Sequence, residues 1–182
     1  MRGSGRQELR RGWRVAQRGS MLGGMPLAEI RNFLAVNDWL ATAGQPSEAE
    51  LTDVAASGFE LVVNLGLLDP RYCLPDEAGT AARLGLAYEH VPVDFNAPKL
   101  EDFLRFERVL TETAGKRTFV HCAKNYRVSC FVALYGERHF GWSPEQALAH
   151  VHTVWAPDET WQKFMQTVRA ELGSGALGVG RP

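Results

Sequence analysis

Cysteine is scarce in this chain. There are three in 182 residues, Cys73, Cys122 and Cys130, and so small and odd a number argues against a disulfide-stapled scaffold. Free thiols in a reducing, cytoplasmic compartment are the simpler reading. No apolar run approaches the ~20 residues that would span a bilayer. Neither sign of charge prevails: 20 bases stand against 21 acids. The basic footprint of a general nucleic-acid binder is therefore missing. A Gly-rich nucleotide loop is missing too, since Gly23-Gly24 and the C-terminal glycines lack a strand–helix context. There is no internal repeat. What is present is a chain 45% hydrophobic and 10% aromatic, enough to bury one core without staples and too apolar for wholesale disorder.

The charge is unevenly placed. Residues 1–20 hold six arginines and a single acid, Glu8. The rest of the chain is correspondingly acidic. Residues 1–25 read as a disordered basic leader, residues 26–172 as one domain, and residues 173–182 as a flexible tail. The Arg-rich, acid-poor leader also fits an organelle-targeting peptide, but it lacks the apolar core of a secretory signal.

Between these ends, strand and helix signals alternate. Asn32–Ala43 suits one or two edge strands. Ser47 with Glu50 forms a capping box for a helix that Gly58 ends. Leu61–Leu65 suits a strand covered on both faces. A helix is expected over Pro75–Leu84 and a strand over Leu86–Val93. A helix over Lys99–Thr113 carries Leu100, Phe103, Leu104 and Leu110 at helical spacing. Thr118–Val120 reads as a central strand, and helices follow over Val128–Phe140, Ser143–Val154 and Pro157–Leu172. This order predicts an α/β fold in three layers, a mostly parallel central sheet flanked by helices.

One segment carries chemistry: Thr118-Phe119-Val120-His121-Cys122-Ala123-Lys124-Asn125-Tyr126-Arg127-Val128-Ser129. A buried strand ends at a cysteine, a short polar loop follows, and a helix begins. Sites in open α/β sheets lie at the carboxyl ends of strands. A helix N-terminus offers free N–H groups and a positive dipole end to anions, and the same field favours thiolate at Cys122. Arg127 adds a planar fork of donors that matches two phosphate oxygens. A thiolate beside an anion cradle suits nucleophilic attack on phosphorus. By spacing alone, a core cysteine with a surface arginine nearby explains the pattern equally well.

His121-Cys122-x4-Arg127 resembles the His-Cys-x5-Arg signature of cysteine-dependent phosphatases, and is closer to a bacterial dual-specificity-like subgroup with four residues between Cys and Arg. The similarity runs from about Asn32 to Phe164. It includes Gly44-Gln45-Pro46, Val62-Val63-Asn64-Leu65, Val91-Pro92-Val93-Asp94 and Trp155…Trp161-Gln162-Lys163-Phe164. The resemblance implies a phosphatase-like fold and hydrolysis of a phosphate monoester through a phosphocysteine, with no cofactor and no metal. Cys122 would be the nucleophile. Arg127 and the loop residues Ala123, Lys124, Asn125 and Tyr126 would bind the phosphoryl group. The substrate would be a phosphorylated protein or a small phosphate ester.

Such a mechanism needs a proton donor on a separate loop. Asp94 is the candidate, because Asp94-Phe95-Asn96-Ala97-Pro98 looks like the family's acid loop. Its strand is expected to lie beside Thr118–Val120. Asp94 also reads as a turn-former, and Asp102 is the fallback acid. By the same resemblance His121 supports the loop, as well as being a buried histidine. Ser129 is placed to donate to the Cys122 sulfur, although Val128, not a hydroxyl residue, follows the arginine. Cys130 reads as core, and a disulfide from it or Cys73 to Cys122 stays open. The tryptophans Trp142, Trp155 and Trp161 read as packing, and His150 and His152 make a poor metal pair.

The loop of six residues, Cys122 to Arg127, is one shorter than the common phosphatase loop. Two alternatives follow. A six-residue loop also resembles rhodanese-type sulfurtransferases, whose cysteine carries a persulfide. A phospho-binding module that keeps Arg127 but turns over little is the other.

Overall fold

The computed structural model describes residues 27–173. The leader and most of the tail therefore lie outside the described residues. After a single 3₁₀ turn, Leu27–Glu29, the elements in chain order are strands β1 (Leu34–Ala35) and β2 (Leu40–Ala43), helix α1 (Glu48–Ala56), strand β3 (Leu61–Asn64), helix α2 (Glu77–Arg83), strand β4 (Ala87–His90), helix α3 (Leu100–Glu112), strand β5 (Thr118–His121), and helices α4 (Tyr126–His139), α5 (Pro144–His152) and α6 (Glu159–Leu172). Among the described residues no helix is long and apolar enough to cross a membrane.

The five strands form one sheet in the order β1-β2-β5-β3-β4. Every pairing is parallel except β1 with β2. The chain is thus an α/β protein with a mostly parallel sheet, as the alternation of signals predicts. Two details differ from that reading. β2 is an interior strand, flanked by β1 and β5. The strand before Asp94 does not lie beside β5 either, because β3 pairs with both and separates them. Local sequence reports that a segment is a strand; which strands become neighbours depends on how the crossover helices pack.

Successive side chains on a strand point to opposite faces, and this sorts the core into two layers. Leu61, Val63, Val120 and Cys122 join a large cluster with Phe103, Phe106, Phe131, Leu134, Trp161 and Phe164 from α3, α4 and α6. Ala41, Val62 and Phe119 face the other way and pack with Leu51, Val54 and Ala81 from α1 and α2. α4 is buried on all sides from Arg127 to Glu137, so it lies inside the domain rather than on its surface. Gly136 is where α4 meets Trp142: a methyl group there would come within 2.2 Å of the indole.

The capping box expected at Ser47 and Glu50 is present on α1. Ser143 and Gln146 form another on α5, and Asp158 caps α6. α4 begins two residues earlier than its apolar pattern suggested. Leu104 is partly exposed, and Phe106 takes the core position on α3.

His150 on α5 has a testable consequence. Its ring lies against Trp142, with centroids 5.2 Å apart, and its Nε2 is buried with no partner among the described residues. Burial pushes its pKa down from 6.5 to about 4. The unfolded chain therefore takes up a proton here as pH falls through 6.5, and the folded chain does so only near pH 4. Stability falls as pH drops across that window. Guanidinium melts at pH 7 and pH 4.5 should show the wild type losing about 2 kcal/mol more than His150→Leu; parallel losses would refute the assignment.

Candidate active site at the carboxyl edge of the sheet

Three strand ends converge on the loop between β5 and α4. At the end of β5, the Leu65 amide donates to His121 O (2.8 Å) and the Cys122 amide to Ala43 O (3.4 Å). On the β2 side the Gln45 amide donates to Ala123 O (3.3 Å), and Gly44 bridges to Lys124. Gly44 has little room for a side chain: a Cβ would lie 3.1 Å from Ala123 O and 3.2 Å from Arg31 O. The Gly44-Gln45 pair thus runs alongside the loop and braces it.

The loop turns sharply at Asn125, whose φ of 65° places it in the left-handed region, which asparagine tolerates better than most residues. Asn125 is fully buried, and its Nδ2 donates to Asn32 O (2.7 Å) and Thr42 Oγ1 (3.0 Å). Asn32, itself left-handed at φ 51°, returns the contact by donating from Nδ2 to Lys124 O (2.9 Å). Asn125 is thus anchored toward β2 by its side chain, while Lys124 is exposed. No side chain caps α4. The first amides of a helix lack intrahelical acceptors, so those of α4 add positive potential where the loop ends.

Cys122 retains 1% exposure and sits with the α4 face of the core. It is a free thiol, as are Cys73 and Cys130. Cys130 is buried one turn into α4, and burial pushes its thiol up to about 12 against opposing bonds from Ser129 and Trp155. It is a packing residue, inert beside Cys122. Ser129 spends its hydroxyl proton on Tyr126 O (2.9 Å) and accepts from Trp155 Nε1 (3.2 Å).

Arg127 lies in the first turn of α4 and is 6% exposed. Its Nη1 donates to Leu65 O (3.0 Å), and its Nε is buried without a partner among the described residues. The same carbonyl accepts from the Val93 amide (3.2 Å). Asp94 therefore follows directly on a residue that shares an acceptor with Arg127, although β3 separates their strands. Asp94 is exposed, and its Oδ1 accepts from the Asn96 amide (2.9 Å). The next side chain, Phe95, brings its ring to 5.9 Å from the Arg127 guanidinium carbon. It also packs on Trp155 and Trp161, and its carbonyl accepts from Trp161 Nε1 (3.0 Å). Trp155 stacks on Tyr126 at 4.6 Å, and Lys124 Nζ lies 5.8 Å from the Tyr126 ring. Aromatic side chains therefore join the Asp94 loop to the Cys122 loop. Asp102, the fallback acid, accepts from the Lys99 amide (3.0 Å) at the start of α3.

Strand alternation sends His121 to the opposite face of the sheet from Cys122. There its Nε2 meets Glu77 Oε1 at 2.6 Å, with both side chains buried. Gln45 Nε2 donates to Glu77 Oε2 (2.8 Å). Burial raises the pKa of the Glu77 carboxyl, but the bonds from His121 and Gln45 outweigh it, and the net effect is to hold the pKa below the ordinary carboxylate value. Sequence reasoning missed Glu77, which lies inside the helix expected over Pro75–Leu84. Its small neighbours Ala78, Gly79, Ala81 and Ala82 were the available hint that this turn packs closely. Among the described residues no three His, Cys, Asp or Glu side chains gather as a metal site.

No protein-family model matches the chain. A stretch of 105 residues, 54% of the chain, is 32% identical to the beta-lactamase hydrolase-like protein of Xylella fastidiosa in strains Temecula1 and 9a5c. The match spans only 23% of that protein's length. Among solved structures, the "putative phosphatase (DUF442)" of Shewanella putrefaciens CN-32 superposes with a TM-score of 0.72 at 29% identity, over 80% of this chain and 95% of that one. Tk-PTP in its active form gives 0.67 at 23% identity, over 76% and 97%. The catalytic core of the PP-IP phosphatase SIW14 from S. cerevisiae shares the fold, with a TM-score of 0.67 at 13% identity, over 82% and 92%. The chain thus has a phosphatase-like α/β fold, similar over four fifths of its length to the putative phosphatase of Shewanella putrefaciens.

Asn125→Ala tests the loop. The substitution leaves Thr42 and Asn32 O without their partner and puts a Cβ-bearing residue at φ 65° with no side chain to compensate. Denaturant unfolding should report a loss of about 3 kcal/mol; a loss under about 1 kcal/mol would show that these bonds do not hold the turn.

Proposed function

We propose that this domain hydrolyses phosphate monoesters through a phosphocysteine, as a dual-specificity-like phosphatase with a shortened Cys-x4-Arg loop. The observation that supports this reading best is the guanidinium of Arg127. It is buried, holds one carbonyl and leaves Nε without a partner among the described residues, five residues from a buried cysteine. A buried charge is costly unless paired, and a phosphoryl group in the loop would pair it. Arg127 and the amides of Ala123 through Tyr126 bind its oxygens. Cys122 attacks phosphorus as the thiolate, and the bond to the leaving oxygen breaks. Asp94 gives that oxygen its proton, then takes one from the water that cleaves the phosphocysteine. The scheme uses no metal and no organic cofactor. A cytoplasmic setting would keep Cys122 reduced. The substrate is a phosphorylated protein or a small phosphate ester that reaches the loop past Tyr126, Trp155 and Phe95.

Release of phosphate from an aryl phosphate at mildly acidic pH tests this. Cys122→Ser should abolish release, and activity surviving that change would remove Cys122 as nucleophile. Arg127→Lys should lower kcat/KM about 100-fold, since a bidentate fork becomes a point charge. Asp94→Asn should slow an alkyl phosphate about 100-fold and a nitrophenyl phosphate far less; equal slowing would count against the acid role. Robust transfer of sulfur from thiosulfate to cyanide would favour the sulfurtransferase reading instead.

A further inference from the structure

Glu77 lies on the far face of the sheet from the Cys122 side chain, yet its two carboxylate oxygens reach the two chain segments that carry the loop. Oε1 meets His121, the last residue of β5, and Oε2 accepts from Gln45, two residues past β2. His121 is bonded through the backbone to Cys122. Gln45 donates its own amide to Ala123 O (3.3 Å). One buried carboxylate on α2 therefore ties together the two sides of the loop from behind. His121 Nδ1 is buried without a partner among the described residues, so the orientation of the ring rests on the Glu77 contact. We propose that Glu77 is a positioning residue: by gripping His121 and Gln45 with separate oxygens, it holds the Cys122–Arg127 loop in the shape that binds the phosphoryl group at the transition state.

This deepens the phosphatase reading and rests on it. A buried carboxylate that accepts from two donors is hard to replace. Glutamine keeps the shape but presents an amide N–H₂ toward one of them. Two donors then face each other, either at Gln45 or, with the proton on Nε2, at His121. The loop loses one footing while the surrounding core is left as it was.

The decisive comparison is Glu77→Gln, His121→Asn and the double variant, assayed on an aryl phosphate well below their melting temperatures. Glu77→Gln should lower kcat at least tenfold with KM within threefold, and should add less than twofold in the His121→Asn background. A kcat within twofold of wild type, or full additivity of the two changes, would overturn the proposal. If Glu77→Gln does not fold, Gln45→Met removes the second contact alone and should lower kcat at least threefold; unchanged kcat would overturn the proposal equally. A measurement independent of turnover separates this inference from the phosphatase reading. Histidine ¹⁵N spectra at pH 7, assigned by the loss of one signal set in His121→Asn, should show a proton on Nε2 of His121 in the wild type and a changed pattern in Glu77→Gln. Absence of phosphate release by the wild type would sink the hydrolase assignment, and the grip on His121 would then be judged by these spectra. A bare Nε2 in the wild type would refute that grip whatever the activity.

Discussion

A guanidinium is buried at the start of α4. Arg127 holds Leu65 O and leaves Nε without a partner among the described residues. A permanent charge in such a place is tolerable only if something compensates it. The surroundings supply carbonyl oxygen and the face of Phe95 but no carboxylate contact at Arg127, since none of the six ion pairs among the described residues includes it. The site is thus positive by construction, and the uncapped start of α4 adds to this. The neighbouring loops are organised around that charge. Leu65 O joins Arg127 to the chain that leads into Asp94, and Phe95 carries the aromatic contacts back to Tyr126 through Trp155.

The sheet divides this region into a front and a back. β5 directs Cys122 toward α3, α4 and α6, and directs His121 toward α2, because consecutive strand residues face opposite ways. The front holds the thiol and the guanidinium. The back holds the Glu77 carboxylate, hydrogen-bonded at both oxygens to buried His121 and half-buried Gln45. Separation by the sheet matters electrostatically. A bare carboxylate near the loop would oppose any anion there, whereas the Glu77 charge is met by His121 and Gln45 on its own face. Parallel registry of β2 with β5 brings Gln45 and His121 within reach of one side chain.

The short loop depends on one backbone conformation. The chain leaves β5 at His121 and enters α4 at Tyr126, and Asn125 makes this possible by turning left-handed. Most L residues would be strained there. Asparagine tolerates the conformation, and here its side chain is also held by Asn32 O and Thr42. Neighbours sharing the fold show that the architecture accommodates phosphatases of varied description, and function follows the site rather than the fold.

Sequence alone determined the element types, the cap at Ser47, the helix start at Ser143, the parallel sheet, and the two residues, Cys122 and Arg127, on which the chemistry is proposed to turn. These follow from local periodicity and from a short motif, which depend on residues close together in the chain. Tertiary structure decided the rest. It placed β3 between β4 and β5, extended α4 back to include Arg127, buried Asn125, and gave Ser129's proton to Tyr126 O. It also joined Glu77 to His121 across 44 positions of sequence. No local signal encodes such a contact, because its partners meet only once crossover connections have stacked the strands and brought α2 down on the sheet's far face.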